Sequence, residues 1–228
     1  TRIRSGGAAQ YTVPTELERL GDFSETYIAN GQRKVAYDPF TTRPDPDRAG
    51  RYIRDPIPGN RLPTGRLDPV ALNAQKYVPM PNGPGLPFTH ANNFIAQTAM
   101  PVPVDRVELK IDHHFNERQR IFGRYTFIDT LVGSPNYWNT VAMPSDGNRY
   151  ERLQNAALDY THTLGATAVF NVRYGFGRAA GTRRPYGWGT KPTQLGFPAY
   201  MDASVDEPIF STFSPQDVAQ IGANGGSF

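Results

Sequence analysis

The stretch Val104-Asp105-Arg106-Val107-Glu108-Leu109-Lys110-Ile111-Asp112-His113-His114-Phe115 changes polarity at almost every step. Val107, Leu109, Ile111, His113 and Phe115 fall on one side of an extended chain, and Arg106, Glu108, Lys110, Asp112 and His114 on the other. Neighbouring side chains of a strand point to opposite faces, so as a strand this segment has one apolar and one charged face, whereas a helical period would mix the two sets. Asn116-Glu117-Arg118 is a turn signal. The chain returns with Ile121, Gly123, Tyr125 and Phe127 on one face and Arg120, Phe122, Arg124 and Thr126 on the other.

A second pair has a similar form, although its outgoing strand alternates less well, with Ala156, Leu158 and Tyr160 opposing Asn155, Ala157 and Asp159. It runs from about Glu151 to His162 and from Thr167 to Arg178, joined by Thr163-Leu164-Gly165-Ala166. In the return strand Ala168, Phe170, Val172, Tyr174 and Phe176 face one way, and Asn171, Arg173, Gly175 and Gly177 the other. A soluble sandwich also alternates, with one face in its core and one in water. Three features favour a membrane wall instead. The strands are about ten to thirteen residues long, near what a tilted transmembrane strand needs. The connections alternate short and long, as in barrels with tight periplasmic turns and extended outer loops. Aromatic residues such as Phe115, Tyr160, Phe170, Tyr125, Phe127 and Phe176 sit near the ends of the apolar faces, where interfacial girdles lie. Four strands cannot close a barrel, and open edges in lipid leave backbone groups unpaired. The expected fold is therefore all-β: a partial transmembrane antiparallel β-barrel of two long hairpins, with long extracellular loops carrying short helices. The chain is expected to be a segment of a larger protein.

The expected organisation is a long extracellular excursion over 1–103, barrel-wall hairpins over 104–182, and a further extracellular loop over 183–228 that stops before another strand. In the first segment Pro14 to Leu20 reads as a short helix stopped at Gly21, and Pro69 to about Tyr77 as another, with Asp68 as N-cap and Pro79 beyond it. Asp38-Pro39, Arg43-Pro44-Asp45-Pro46, Asp55-Pro56 and Ile57-Pro58-Gly59-Asn60 are turn signals. A linker is the alternative reading, but Phe23, Tyr27, Tyr37, Phe40, Tyr52 and Ile53 offer the segment apolar anchors of its own. In the last segment Ser214-Pro215-Gln216-Asp217 is expected to cap one helical turn ending at Gly222.

Composition agrees with strands and irregular loops. The 228 residues include 22 Gly and 21 Pro, too many for long helices, while 12% aromatic residues argue against a disordered chain. The net charge of +3 is mild and no Lys/Arg block exists, so nucleic acid is not an expected partner. With no cysteine, neither disulfides nor thiolate metal sites are available. No signal peptide is expected within these residues, and no run of eighteen apolar residues is present.

Several motifs together resemble a known family. They are Thr12-Val13-Pro14-Thr15, Glu18-Arg19-Leu20-Gly21-Asp22-Phe23-Ser24, Tyr37-Asp38-Pro39, Thr42-Arg43-Pro44, Ile53 to Pro63, Tyr77-Val78-Pro79-Met80-Pro81-Asn82 and Asn92-Asn93-Phe94. Continued by Asp105-Arg106, Asp112-His113 and Arg120 to Tyr125, the series resembles Oar-like TonB-dependent receptors over nearly the whole chain. The resemblance implies a large outer-membrane transporter of a Gram-negative bacterium, with a carboxypeptidase regulatory-like domain, a plug and a barrel of about twenty-two strands. It implies energised import of a substrate, with outer-membrane lipid and the TonB complex as partners. The plug and energy-coupling box are expected to lie outside this chain, and the substrate is not legible. The competing reading is a soluble or cell-surface β-rich binding module for a glycan or protein. An adhesion or structural role is a third.

No enzyme is expected. His113 and His114 are neighbours on a strand and point apart, which suits no metal. Asp45, Asp47 and Asp55 lack the spacing of a calcium loop. No phosphate loop or nucleophile elbow is present, so catalytic residues, cofactors and metals are all expected to be absent. The candidate ligand contacts are Arg183, Arg184, Tyr186 and Trp188, because Arg and aromatic side chains are enriched at recognition surfaces.

Overall fold

The computed structural model describes residues 2–133, 135–145 and 147–223. It is built on a five-stranded antiparallel sheet in sequential order. The strands are β1 (Arg2–Tyr11), β4 (Phe94–Asn116), β5 (Gln119–Val132), β6 (Asn148–Gly165) and β7 (Ala168–Arg184). Between β1 and β4 lie α1 (Glu16–Arg19), the two-residue strands β2 (Arg43–Pro44) and β3 (Tyr52–Ile53), and α2 (Pro69–Gln75). A last short helix, α3 (Tyr200–Ala203), follows β7.

The two expected hairpins are β4–β5 and β6–β7. Their turns are as tight as the sequence suggests: Asn116 pairs with Gln119, and Gly165 with Ala168. The register shift between His114 and Asn116, and another between Thr163 and Gly165, are bulges that end each ladder. The strands run well past their expected outer ends, β4 by ten residues at its start, because its first part pairs with β1 from Arg2–Pro103 to Tyr11–Phe94. The sequence period does not reveal this fifth strand. A division at residue 103 cuts β4 in the middle of a continuous strand, and one at 182 falls inside β7. Close approach explains Gly6 of β1: a Cβ there would lie 2.4 Å from the Thr98 carbonyl oxygen and 2.7 Å from the Ala99 Cα.

The register sorts the wall into two faces, since partners across an antiparallel ladder share a side. One face carries the rows Leu109–Tyr125–Ala156–Phe176, Ile111–Gly123–Leu158–Tyr174 and His113–Ile121–Tyr160–Val172, with no Asp, Glu, Lys or Arg. The other carries Glu108–Thr126–Asn155–Gly177, Lys110–Arg124–Ala157–Gly175 and Asp112–Phe122–Asp159–Arg173. Charges there pair with one another: Arg124 with Glu108 at 2.6 Å, Arg173 with Asp159 at 2.5 Å, and Arg120 with Asp112. Val107, Leu109, Ile111, Val172 and Tyr174 are exposed on the uncharged face. A face of this size with no protein cover is what a lipid-facing wall presents. Among the described residues no helix is long and apolar enough to cross a membrane, which has no bearing on strands.

The hydrophobic core lies above the wall. Val13, Ala74 and Val78 come from the 12–93 connection, Trp138, Ala142 and Met143 from 133–147, and Leu195, Phe210 and Ile221 from the segment after β7. The long connections are thus one folded cap rather than separate loops. Backbone bonds also join them, from Ala219 N–H to the Thr12 carbonyl and from Gly222 N–H to the Ala142 carbonyl, each 2.8 Å.

Local chemistry accounts for most of the cap's short elements. Thr15 and Glu18 form a reciprocal capping box at α1, so Thr15 rather than Pro14 starts that helix. Asp68 accepts from the Val70 and Ala71 amides at α2, as expected of its N-cap. Arg19 then joins the two helices, donating to the carbonyls of Pro14, Gln75 and Pro79 at 3.1, 3.0 and 2.6 Å. Burial pushes its pKa down from the usual guanidinium value. The helical turn expected over Ser214–Gly222 is absent. That segment bends back instead, with Phe213 and Ile221 exchanging both backbone bonds, because packing of Ile221 in the core outweighs the local capping preference.

Candidate functional site

The cap contains a cleft of about 800 Å³ between the first connection and the last. Its floor is the core edge: Val13, Ala74 and Ile221. Phe23, Tyr27, Ile28 and Val35 line one wall, with Phe213 and Val218 opposite. One ion pair, Lys34 with Asp217, spans the two walls at the rim. Glu18 lies in the lining, but its carboxylate is occupied by the Thr15 amide at 2.9 Å and the Thr26 hydroxyl at 2.8 Å. The cleft is therefore mainly apolar with a polar rim, the pattern of a site that holds part of a ligand by shape and apolar contact.

Asn60 holds one wall in place. It is buried, with φ +61°, a left-handed conformation that Asn tolerates better than most residues. Its amide donates to the Phe23 and Lys34 carbonyls at 2.7 Å each and accepts from the Ala36 amide at 2.7 Å. The turn signal at Ile57-Pro58-Gly59-Asn60 thus serves a second purpose, fixing the chain that lines the cleft. Next to it, Arg66 grips Asp38 through two hydrogen bonds of 2.7 and 2.8 Å. These bonds, with the Phe40 amide, hold the Asp38 carboxyl down at about 2.

The four residues singled out from sequence do not line this cleft. Arg183 and Arg184 are the end of β7, opposite Arg149 and Asn148. The Arg184 guanidinium lies 5.8 Å from the Trp188 ring centre, a cation–π contact. Tyr186 packs against the core and its hydroxyl reaches the Met100 sulfur at 4.0 Å, and burial raises its pKa. Composition marked these residues as suited to recognition, but their surroundings give Tyr186 and Trp188 packing partners within the cap. The cleft residues carry no compact motif. Of the motif series, Thr12 to Thr15, Glu18 to Ser24 and Asn92-Asn93-Phe94 contribute lining residues.

The paired histidines point to opposite faces, and the aspartates of the first connection serve local contacts. His113 lies in the Ile121 row of the uncharged face and His114 in the Arg120 row of the other. Asp45 caps the Asp47 amide at 3.0 Å and Asp55 pairs with Arg43 at 2.7 Å. Among the described residues no three His, Cys, Asp or Glu side chains gather to hold an ion.

Comparison with known families agrees with the two-faced wall. The whole chain, residues 1–228, matches the family described as an outer membrane beta barrel domain. The chain belongs to that family, and its place is the outer membrane of Gram-negative bacteria, in contact with lipid. No curated protein and no solved structure matches it.

Proposed function

We propose that this chain is a sector of an Oar-like TonB-dependent receptor that binds a substrate outside the cell and imports it, and that it catalyses no reaction. The observation that carries this reading is the shared core of the cap. Three outer connections that bury Val13, Trp138 and Phe210 together hold a fixed surface above the wall, and the cleft opens within that surface. A barrel serving only as an anchor needs no such cap. The charged inner face, with its Arg124–Glu108 and Arg173–Asp159 pairs, suits a lumen that contacts a plug and water. The motif series from Thr12 to Tyr125 supports the receptor class.

The test uses cells that carry the intact receptor, with fluorescent peptides, fluorescent glycans and ferric siderophores as separate probes. One probe is expected to bind the surface and then accumulate inside. Loss of the inner-membrane energising complex is expected to abolish accumulation but leave binding. Accumulation that survives that loss overturns TonB dependence. Binding without accumulation in energised cells favours the alternative, a cell-surface binding module.

A further inference from the structure

The uncharged face ends abruptly at its outer margin. The next row is Val107–Phe127–Gln154–Arg178, and the one beyond it Asp105–Asp129–Arg152–Ala180. From Ala168 at the inner turn to Arg178, ten residues at about 3.3 Å each, tilted about 40°, climb about 25 Å, the height of a barrel's apolar band. Arg178 therefore sits where the apolar band meets the headgroups of the outer leaflet. The inner margin of the same face carries Gln119, His162 and Phe170 instead, with no fixed charge.

Charge bookkeeping separates the two arginines. Arg152 lies 3.4 Å from Asp129 and stacks on the Phe127 ring at 5.5 Å. The Arg178 guanidinium has no ion pair or hydrogen bond among the described residues and is exposed. It is a diagonal neighbour of Arg152, and such pairs lie about 7–8 Å apart, so one anion can reach both. Gln154, directly opposite Arg178, donates to the Tyr125 hydroxyl at 2.9 Å. Asp105 and Asp129 face each other across β4 and β5, so anion contact is favoured on the β6–β7 side alone.

We propose that Arg178, assisted by Arg152, binds the phosphate of a phosphorylated lipid in the outer leaflet. A guanidinium at this depth is desolvated by acyl chains on one side, and its fork matches two phosphate oxygens. The acyl chains of the same lipid then lie on Phe176, Tyr174 and Val172 below it. The site concerns the barrel wall alone and is independent of what the cap binds.

The test measures retention of lipid by the intact receptor, purified in detergent with EDTA so that no divalent cation bridges Asp105 or Asp129 to phosphate. Native mass spectrometry is run with bis-phosphorylated lipid A and with the same lipid after phosphatase treatment. Bis-phosphorylated lipid is expected to be retained and the dephosphorylated form about tenfold less. Arg178→Gln is expected to lose about tenfold in retention, Arg178→Lys less, and Lys110→Gln on the opposite face nothing. Heat-modifiable migration on gels verifies that each variant is folded. Equal retention of both lipids overturns the proposal, as does unchanged retention by Arg178→Gln. Displacement of the lipid by an equal concentration of inorganic phosphate assigns a free-anion site and also overturns it.

Discussion

The Asn93 side chain holds both backbone groups of Val13. Its carbonyl oxygen accepts from the Val13 amide at 2.8 Å and its NH2 donates to the Val13 carbonyl at 2.8 Å. The two residues are eighty apart in sequence, and are exposed by only 2% and 1%. They sit just above the last β1–β4 pair, Tyr11 with Phe94, so the side chain continues the ladder where the strands diverge. A side-chain amide carries an acceptor and a donor side by side, as a backbone partner does.

Asn93→Ala is therefore expected to destabilise the cap by about 1–3 kcal/mol, because it strands a buried donor and acceptor. Asn93→Asp keeps the acceptor but loses the donor and adds a buried charge, so it is expected to be no milder. Hydrogen exchange at residues 12–15 checks this. Unchanged protection there in both variants means that water replaces the amide without cost.

Asn60 yields a second prediction at the cleft. Asn60→Gly keeps the left-handed backbone and loses three hydrogen bonds, while Asn60→Ala loses the bonds and is strained as well. Both are expected to loosen residues 23–36, with Asn60→Ala worse by about 1 kcal/mol. Limited proteolysis of the folded receptor reads this as cleavage between Phe23 and Ala36. Equal resistance of both variants to cleavage counts against Asn60 as the support of that wall.

How far the sequence could be read follows from what each element packs against. Strands β4, β5 and β7 are legible because a bilayer on one side and a polar interior on the other impose alternation, while β6 is less so because Ala157 stands on its polar face. β1 has no such constraint. Its Gly6-Gly7-Ala8-Ala9 run pairs with the upper part of β4, which includes Pro103 and Met100, so neither partner shows a strand period. The cap at Asp68 is local and visible in a few residues, whereas at α1 the proline signal of Pro14 masks the capping box that Thr15 and Glu18 form one residue later. The joint core is not, because Val13, Trp138 and Phe210 are brought together across more than a hundred residues and share no local pattern. The Ser214 turn failed for the same reason, since a distant contact at Ile221 overruled a local signal. The Arg183 to Trp188 group lies outside the cleft, a placement that residue type alone does not encode.

The Asp38–Arg66 pair sets a pH dependence for the first connection. Its hydrogen bonds with Arg66, then with the Phe40 amide, lower the Asp38 pKa from the ordinary 3.8 to about 2. A carboxylate depressed in the folded state stabilises it fully above 3.8, and the contribution is lost as pH falls through about 2. Exchange protection over residues 36–66 is thus expected to be level from neutral pH to about 4, once corrected for the intrinsic rate, and to fall below that. Asp38→Asn is expected to remove the acid transition while lowering protection at neutral pH. A wild-type transition near pH 6 points to another group.

Gly187 tests the packing between the connections. A Cβ there would lie 2.4 Å from the Phe210 Cβ and 2.9 Å from the Val141 carbonyl oxygen. Phe210 is in the core and the Phe210 amide donates to the Gly187 carbonyl at 2.9 Å, so neither side moves freely. Gly187→Ala is expected to cost about 1–3 kcal/mol as overpacking. Gly189, which has open space around its Cα, is the comparison: its φ of +85° makes Gly189→Ala costly by backbone strain alone. Thermal unfolding reads both losses, and fluorine NMR of 5-fluorotryptophan-labelled protein, with Trp138 and Trp188 assigned, separates them: Gly187→Ala is expected to shift the Trp138 signal, Gly189→Ala only that of the adjoining Trp188. A Trp138 signal unchanged in Gly187→Ala argues against a tight joint.

The two faces of the wall make the sharpest contrast at neighbouring positions on β7. Val172 shares the row of Tyr160, Ile121 and His113, and Arg173 that of Asp159, Phe122 and Asp112. Val172→Arg places a guanidinium among acyl chains near mid-depth, which costs about 2–4 kcal/mol on a lipid-facing barrel surface. Arg173→Ala removes one member of an exposed pair whose partner, Asp159, keeps hydrogen bonds from Asn171 at 2.9 Å and Thr161 at 3.1 Å. In the intact receptor Val172→Arg is expected to reduce assembly into the outer membrane, and Arg173→Ala to assemble normally and alter only contacts in the lumen. Heat-modifiable gel migration of outer-membrane fractions measures both. Equal tolerance of the two changes is incompatible with lipid on the Val172 side, and failure of Arg173→Ala alone reverses the faces.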